Sequence, residues 1–320
     1  MASPEVRPGS IPDDFTVWAG SDLHGQLGAV EELLRQAGLA DEAGNWSALP
    51  RTALVVCGDI VDRGPDSVGL VRRLARLREQ AGRADGIVVL LEGNHEAQVL
   101  GGLDDQPMVW RAFIEFGGGA TLASAGLGPS EWGPGASPRD VARRVEALAP
   151  DLVPSLWTFA PYARWRDVLF VHGGPVPGVQ SLLAFERGAA RLWIRDGFFA
   201  SADPFPDGPS WATYREAGIR RVVFGHTPVT EPTLYQDGRA LNVDTWRGGR
   251  VTLARLEPGR TLGEAGFLSA PAEPRAVADA PVSRELIGEL DRTLPGIIDA
   301  WLDARWPSSR SDVHTSRSAR

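Results

Sequence analysis

The 320-residue sequence contains no lysine and a single cysteine, Cys57. Without lysine, any cationic contact to a phosphate group must come from arginine, whose planar guanidinium can bind two oxygens at once. A single cysteine excludes an intramolecular disulfide. Because Cys57 ends an apolar run that starts at Ala53, we expect it to be a small buried core residue rather than a reactive thiol.

A net positive charge is also lacking, since 41 acidic residues outnumber 33 arginines and the formal net charge is −8. A partner held by general electrostatics needs clustered positive charge, so we expect no general nucleic-acid binding. The chain has no apolar run of membrane-spanning length, and Met1 to Asp14 lacks the apolar stretch of a signal peptide. These absences predict a cytoplasmic protein that does not bind membranes.

What the chain does contain is a repeated order of apolar run, polar motif and amphipathic segment. The apolar runs are predicted strands, and the amphipathic segments Gln26 to Gly38 and Asp66 to Ala81 are predicted helices. This alternation indicates parallel strands joined by right-handed crossovers. The predicted strands are Phe15 to Gly20, Ala53 to Cys57, Ile87 to Leu91, Asp167 to Val171, Arg221 to Phe224, Ala240 to Asp244 and Arg250 to Leu256.

The heptapeptide from Gly58 to Gly64, Gly-Asp-Ile-Val-Asp-Arg-Gly, follows one of these strands. Ligands collect outside the carboxyl ends of strands in open α/β sheets, which favours a site here. The alternative for this motif alone is a glycine-flanked surface turn. Asp22 and His24 follow the first strand, and side chains two residues apart on an extended segment can converge on one cation.

Histidine is rare and is concentrated at strand ends. Four of the five histidines follow predicted strands, and two aspartates and an asparagine follow the same strands. These seven residues are Asp22, His24, Asp59, Asn94, His95, His172 and His226. Oxygen and imidazole ligands suit Mn, Fe or Zn better than a sulfur site, and seven are too many for one ion. Two ions that share a carboxylate fit this number, and such a pair can clamp both oxygens of a phosphoryl displacement.

Five motifs, taken in order, resemble the signature set of bacterial PPP-type serine/threonine protein phosphatases, within the calcineurin-like metallophosphoesterase superfamily. They are Ser-Asp-Leu-His-Gly, Gly-Asp-Ile-Val-Asp-Arg-Gly, Gly-Asn-His-Glu, His-Gly-Gly and Gly-His-Thr, spread over about Phe15 to Leu256. A single motif of this kind is weak, but the ordered set is specific. The resemblance implies an α/β fold in which a two-sheet β-sandwich is flanked by helices, rather than the single open sheet that the alternation suggests.

The resemblance also implies a role for each motif. The implied metal ligands are Asp22 and His24 for one divalent ion, the bridging Asp59, and Asn94, His172 and His226 for the second ion. The implied catalytic residues are the general acid His95, Asp62, which orients it, and the phosphate-binding Arg63 and Arg195. Arg191 is close enough in sequence to be an alternative to Arg195. The cofactors would be two divalent ions, Mn²⁺ first, with Fe or Zn as alternatives.

The implied function is hydrolysis of phosphoserine and phosphothreonine, with a phosphorylated protein as substrate partner. A symmetrical dinucleoside tetraphosphate hydrolase is the alternative enzyme, because such relatives share every metal motif. A non-catalytic scaffold for phosphorylated partners would lack ligands or His95, and none is missing. Two departures stand out: Ser21 replaces the usual glycine, and the segment from Asp244 to Arg247 replaces a longer Asp-Thr-Gly loop at the substrate-facing rim.

The catalytic domain is expected to span 15–256, with a helical insertion at 97–166. Around it we expect a flexible N-terminus over 1–14, a Pro/Ala-rich linker over 257–281, a C-terminal helix over 282–306 and a disordered tail over 307–320. Pro295 predicts a break or kink near Thr293. Because every motif lies upstream of residue 257, we expect the remainder to be dispensable for the chemistry.

Overall fold

A computed structural model of the chain describes residues 9–199, 201–274 and 284–305. Two β-sheets pack face to face, and helices cover the outer face of each sheet. This architecture confirms the predicted two-sheet sandwich flanked by helices. None of the helices within these ranges has the length and apolar character needed to cross a bilayer. The tail predicted for 307–320 lies outside the described residues.

The sheets have five and six strands. In chain order the strands are β1 (Gly9–Ile11), β2 (Thr16–Gly20), β3 (Thr52–Val56), β4 (Gly86–Leu90), β5 (Ala163–Trp165), β6 (Val168–Phe170), β7 (Arg221–Phe224), β8 (Thr233–Tyr235), β9 (Ala240–Asn242), β10 (Arg250–Leu256) and β11 (Gly266–Pro271). The five-stranded sheet has the order β11-β10-β2-β3-β4, and the six-stranded sheet has the order β1-β5-β6-β7-β9-β8. Strands β2, β3 and β4 run parallel, as do β6, β7 and β9, so each group ends at one edge of its sheet.

Helices fill the connections. They are α1 (Leu27–Gln36), α2 (Ser67–Gly82), α3 (Asn94–Leu103), α4 (Pro107–Phe113), α5 (Gly119–Ser124), α6 (Pro129–Trp132), α7 (Pro138–Leu148), α8 (Leu152–Leu156), α9 (Leu182–Arg187), α10 (Ala190–Trp193), α11 (Asp196–Phe199), α12 (Ala212–Glu216) and α13 (Arg284–Arg305). A π-helical turn spans Ile114–Gly118, and 3₁₀ turns span Pro209–Trp211, Trp246–Gly248 and Leu262–Glu264.

The apolar run of β3 places this strand at the centre of the molecule. Ala53, Val55 and Cys57 pack between the two sheets, whereas Leu54 and Val56 pack against the helices on the outer face. Side chains alternate along a strand, so a strand that is covered on both faces is apolar throughout. Cys57 is fully buried as predicted, and burial raises the pKa of its thiol. It is therefore a core residue.

Two predicted flanking segments differ from the structure. The N-terminus, predicted to be flexible over 1–14, contains β1, which pairs in parallel with β5 from Gly9 onward. The linker predicted for 257–281 contains β11, which pairs antiparallel with β10. Both strands lie at sheet edges, where short segments with few buried apolar residues pair without leaving a clear alternating pattern.

The helical insertion also differs from its predicted range of 97–166. Its helices, α3 to α8, run from residue 94 to residue 156, and β5 already belongs to the six-stranded sheet. Helix α3 begins at Asn94 itself. The insertion is therefore joined directly to a motif that carries candidate site residues.

The C-terminal helix predicted for 282–306 is present as α13. Leu290, Leu294, Ile298 and Trp301 are buried in the same core cluster as the insertion helices. The predicted break is absent, because the helix continues through Pro295. The helix is thus packed into the catalytic domain through one apolar face, as its sequence periodicity predicts.

Candidate metal centre

The carboxyl ends of six strands bring the candidate residues to one place. The loops after β2, β3 and β4 come from the five-stranded sheet, and those after β6, β7 and β9 come from the six-stranded sheet. These loops carry Asp22 and His24 after β2, Asp59, Asp62 and Arg63 after β3, Asn94 and His95 after β4, His172 after β6, His226 after β7 and Asp244 after β9. All of these side chains except that of Arg63 are buried.

Several of these residues hold a left-handed backbone, which side chains other than glycine rarely adopt. The φ angles are 54° at Asp22, 41° at His24, 54° at Asp59, 71° at Asp62, 66° at Arg63 and 64° at His226. Such positions cost about 1–3 kcal/mol each and persist only where the surroundings hold them. Their concentration at the strand ends indicates a site that is shaped for function.

The loops after β3 and β4 touch backbone to backbone at Gly58 and Gly93. A Cβ atom on Gly93 would lie 2.2 Å from Oδ1 of Asp59, and one on Gly58 would lie 2.7 Å from Cα of Gly93. Gly58 also has a φ of 83°. Because both positions lack a side chain, Asp59 reaches the start of α3, where its Oδ1 accepts a 3.0 Å hydrogen bond from the N–H of His95.

The first ligand group is formed by Asp22 and His24. Oδ2 of Asp22 accepts hydrogen bonds from the Ser21 hydroxyl, at 2.6 Å, and from the N–H of His226, at 2.9 Å. Oδ1 of Asp22 lies 3.9 Å from Nε2 of His24. Nδ1 of His24 donates to the carbonyl of Val61 at 3.0 Å, so Nε2 presents its lone pair to the site.

The second ligand group is formed by Asn94, His172 and His226. Nδ1 of His172 donates to the carbonyl of Cys57 at 2.8 Å. Its Nε2 lies 2.8 Å from Oδ1 of Asn94 and 3.3 Å from Oδ1 of Asp59. The ring of His226 lies 5.0 Å from that of His172, and Nε2 of His226 has no hydrogen-bond partner among the described residues.

The carboxylate of Asp59 lies close to side chains of both ligand groups. Ligand atoms of Asp59, His172 and His226 lie within 4.8 Å of one another, and the same holds for Asp59, His24 and His95. A carboxylate with one group on each side is placed to serve two cations. The position of Asp59 is therefore compatible with the bridging role that the sequence predicted for it.

The donor set fits divalent metal ions. The imidazoles of His24 and His172 each donate from Nδ1 to a backbone carbonyl, the arrangement that usually orients metal-binding histidines. Nε2 of His226 is buried and has no hydrogen-bond partner among the described residues. A buried acceptor without a donor is unfavourable, and a cation bound to it would remove that cost. The thiol of Cys57 lies in the core between the sheets and takes no part.

Glu96 was not predicted as a site residue, although it ends the Gly-Asn-His-Glu motif. Its Oε2 accepts hydrogen bonds from the N–H groups of Asp59 and Gly93, and its Oε1 accepts from those of Ile60 and Val61, at distances from 2.8 to 3.2 Å. Burial and repulsion by Asp59 raise the pKa of Glu96 to about 8, against the opposing effects of His172 and of the N–H groups of Asp59 and Gly93. This carboxylate therefore holds the loop that carries Asp59.

His95 is in hydrogen-bond contact with Asp62, the residue that was expected to orient it. Nδ1 of His95 lies 2.7 Å from Oδ2 of Asp62, and Oδ1 of Asp62 accepts a 2.5 Å hydrogen bond from the hydroxyl of Thr121. Nε2 of His95 then faces the site, 3.8 Å from Oδ2 of Asp59. Thr121 lies on α5 of the insertion, so a residue far from the motifs in sequence completes this arrangement.

Arg63 lies across the imidazoles of His24 and His95. Its Nη1 is 2.6 Å from Nε2 of His24, and its Nη2 is 2.9 Å from Nε2 of His95. The insertion holds its backbone, because the N–H of Arg63 donates to the carbonyl of Gly117 at 3.1 Å. The guanidinium is therefore a cation at the rim of the buried ligand groups.

Arg195 and Arg191, the two candidates for the second phosphate-binding arginine, contact different partners. Nη1 of Arg195 donates to the carbonyl of His226 at 2.7 Å, which places this guanidinium beside the second ligand group. Arg191 is buried and donates to Oε2 of Glu92 at 2.5 Å. Of these two arginines, Arg195 is therefore the one in contact with a candidate ligand.

Burial and neighbouring charges shift the ionisation of the ligands. Burial and the charge of Asp59 raise the pKa of Asp22. Burial would also raise the pKa of Asp59, but His172 and the other imidazoles lower it well below its usual value. The pKa of His24 is lowered by burial and by Arg63. Burial would likewise lower the pKa of His172, but Asp59 raises it to about 9.

Two further residues at this edge were not predicted as site residues. Asp244 is fully buried beside the first group, and the ring of Trp246 lies edge-on to His24 with a centroid distance of 5.0 Å. Both belong to the segment that departs from the Asp-Thr-Gly pattern. In the sequence, this departure marks the segment as unusual, but it does not indicate the roles of Asp244 and Trp246.

The two packed sheets bring paired His/Asp groups together at their strand ends, which defines a candidate metal centre. The chain belongs to the calcineurin-like phosphoesterase family, whose model matches residues 15–230. The coarse prediction of the metallophosphoesterase superfamily is thereby confirmed.

Relatives carry several different names. Shewanella-like protein phosphatase 2 of Arabidopsis thaliana is 29% identical over 175 residues, which cover 48% of this chain and 44% of that protein. The chain thus matches less than half of the length of this relative. The asymmetrical bis(5'-nucleosyl)-tetraphosphatase PrpE of Bacillus subtilis is 25% identical over 232 residues, which cover 70% of this chain and 83% of that protein.

A solved structure supports the fold. The crystal structure of the cold-active protein-tyrosine phosphatase of a psychrophilic Shewanella species has a TM-score of 0.50 and 21% identity to this chain. The match covers 80% of this chain and 83% of that chain. At this level of identity, the similarity supports the fold and not a function.

Proposed function

We propose that this chain is a dinuclear-metal-dependent phosphomonoesterase that hydrolyses phosphoserine and phosphothreonine in proteins. The observation that carries the proposal is the His95–Asp62 pair, whose Nε2 faces Asp59 between the two ligand groups. Esters with poor leaving groups need a proton donor beside the cations that bind the phosphate. The name of the Arabidopsis relative, a protein phosphatase, supports a phosphorylated protein as the substrate.

The proposed metal ligands follow the two groups. Asp22 and His24 would hold one ion, Asn94, His172 and His226 would hold the other, and Asp59 would be shared. When bound, the two ions supply Lewis acidity toward the phosphate and activate a water nucleophile. The oxygen and imidazole donors favour Mn²⁺, with Fe or Zn as alternatives.

The remaining residues bind phosphate and move a proton. Arg63, whose Nη atoms lie at the site, binds phosphate oxygens through its planar fork, and Arg195 assists beside His226. His95 would give a proton from Nε2 to the departing serine or threonine oxygen once Arg63, whose Nη2 lies 2.9 Å from that atom, has turned to the phosphate. Asp62 keeps the imidazole oriented through Nδ1.

A second candidate is hydrolysis of a dinucleoside tetraphosphate. The specific observation in its favour is the PrpE relative, which matches a larger share of this chain than the Arabidopsis relative does. That relative is named asymmetrical, whereas the sequence motifs suggested the symmetrical type. Both reactions use the same metal ligands, so the ligand geometry does not separate them.

The experiment that separates the two is a substrate panel with the Mn²⁺-loaded protein. It contains phosphoserine and phosphothreonine peptides, diadenosine tetraphosphate and an aryl phosphate, each measured as kcat/KM before and after chelation. We expect the phosphopeptides to be preferred and chelation to abolish all activity. Preference for the dinucleotide would replace the first proposal by the second. Full activity in a demonstrably metal-free preparation would refute metal dependence.

A further inference from the structure

Asp244 is a fully buried carboxylate just beyond β9 that has no role in the scheme above. Its Oδ1 accepts a 3.0 Å hydrogen bond from the N–H of Trp246, and its own N–H donates to Oδ1 of Asn242 at 2.9 Å. Its Oδ2 is buried and has no hydrogen-bond partner among the residues that the structure describes. A buried carboxylate oxygen without a donor is unfavourable unless a cation lies close to it.

The protein offers few cations that could serve. The chain has no lysine. The guanidinium of Arg63 attracts Asp244, but its Nη1 and Nη2 are directed at His24 and His95. Burial and the carboxylates of Asp22 and Asp59 disfavour the charged form of Asp244 and raise its pKa well above its usual value. A cation held by Asp22 would offset this repulsion.

We propose that Asp244 is a further residue of the metal site, whose carboxylate stabilises the cation held by Asp22, His24 and Asp59. This inference rests on the metal-dependent function proposed above. Three carboxylates around one cation position raise its affinity for a divalent ion, and residues outside the ligand set commonly change metal affinity by about 10- to 100-fold. Asp244 is thus a positioning and charge-balancing residue rather than a catalytic one.

The alternative role for Asp244 is purely local. The bond from Oδ1 to the N–H of Trp246 is an Asx-turn, and such a turn can begin the 3₁₀ segment that follows. The turn needs only one side-chain oxygen, which asparagine also provides. Asp244→Asn therefore keeps the turn and removes the charge, so the two roles can be separated.

The test compares wild type and Asp244→Asn with and without Mn²⁺. In the metal-free form we expect the Tm of the variant to equal or exceed that of wild type, because asparagine keeps the turn and removes the repulsion by Asp22. With Mn²⁺ we expect the order to reverse, because titration calorimetry should show one of two sites weakened about tenfold or more. A purely local role would change both forms alike and leave Mn²⁺ affinity unchanged, which would overturn the proposal.

Two further variants keep the result interpretable. Asp203→Asn alters a carboxylate whose Oδ2 already accepts a 2.8 Å hydrogen bond from Ser210, so it should not raise the Tm of the metal-free form or weaken Mn²⁺ binding. Asp244→Ser, in which a hydroxyl can replace the turn oxygen, should repeat the result of Asp244→Asn if that variant folds poorly. If both charge-removing variants bind Mn²⁺ as wild type does, the proposal fails.

Failure of this inference and failure of the proposed function have different outcomes. If wild type binds none of Mn²⁺, Fe²⁺ and Zn²⁺ in calorimetry, the metal-dependent function itself is wrong. If wild type binds two ions and hydrolyses phosphopeptides while Asp244→Asn binds Mn²⁺ equally well, only the role of Asp244 is wrong.

Discussion

Oδ2 of Asp62 lies 2.7 Å from Nδ1 of His95, and both side chains are buried. The carboxylate holds the imidazole so that its Nε2 faces the site. Thr121 fixes the carboxylate in turn through the other oxygen. Because neither Asp62 nor His95 is a proposed metal ligand, proton donation can be tested here separately from metal binding.

We expect His95→Asn to reduce kcat/KM for phosphoserine peptides by about 10²- to 10⁴-fold, the usual contribution of a positioned acid. An aryl phosphate releases a much weaker base and should be affected far less. Asp62→Asn should give the same pattern more mildly. Both substrates are assayed alongside metal content by mass spectrometry. Equal losses on the two substrates with unchanged metal content would mean that His95 does not act as the acid.

Arg63→Ala should lower kcat/KM by about 10²- to 10³-fold, since a charged donor to the reacting group is removed. Arg63→Lys should recover part of this loss, because a point charge cannot reproduce two parallel N–H bonds to phosphate oxygens. Steady-state kinetics with phosphopeptides measure the effect. Arg72→Lys, at a surface ion pair with Asp151, is the matched control and should remain at wild-type activity. Wild-type kinetics in Arg63→Ala would place this arginine outside the site.

Glu96→Gln should weaken both the fold and the metal site. The amide group of glutamine places a donor where Asp59 and Gly93 already donate, so we expect the free energy of unfolding to fall by about 2 kcal/mol or more. Mn²⁺ affinity should fall with it, because the loop that carries Asp59 loses its anchor.

Glu92→Gln is the control for this experiment. It disturbs the pair with Arg191 but no bond to the Asp59 loop, so it should leave Mn²⁺ binding unchanged. Denaturant unfolding and calorimetry are compared for both variants. If Glu96→Gln binds Mn²⁺ as tightly as wild type, the loop does not depend on this carboxylate.

The C-terminal helix should matter for phosphate binding, in contrast to the expectation from the motifs alone. Oδ1 of Asp299 accepts a 2.7 Å hydrogen bond from the N–H of Ala189, next to α10, which leads to Arg195. Asp299→Ala should lower the free energy of unfolding by about 1 kcal/mol and raise KM more than it lowers kcat. Glu289→Ala, at an exposed position of the same helix, serves as the control. A change in kcat alone would argue against a link to Arg195.

The proposed metal ligands could be identified from the sequence because each follows an apolar run. A parallel arrangement brings such strand ends to one edge, so local pattern alone was enough to group Asp22 with Asp59. Thr121 was not predictable in this way. It reaches Asp62 across the packing of the insertion on the sheet, and no spacing in the sequence indicates that contact.

The missed strands have a similar cause. The residues of β11, Gly266–Pro271, lie in a Pro- and Ala-rich stretch, and Phe267 is exposed. Their pairing is decided by the free edge of β10 rather than by their own alternation. Asp244 was visible in the sequence as a departure from a motif, but its unpartnered oxygen is a property of the folded chain.

The candidate ligands come from both sheets of the sandwich. Asp22, Asp59 and Asn94 follow strands of the five-stranded sheet, whereas His172 and His226 follow strands of the six-stranded sheet. Ions bound between these residues would cross-link the two sheets, as a disulfide does in a secreted β-sandwich protein. This chain has one cysteine and cannot form such a disulfide within itself. Loss of metal should therefore loosen the molecule along the plane between its sheets, with amide exchange rising together in β3 and β6.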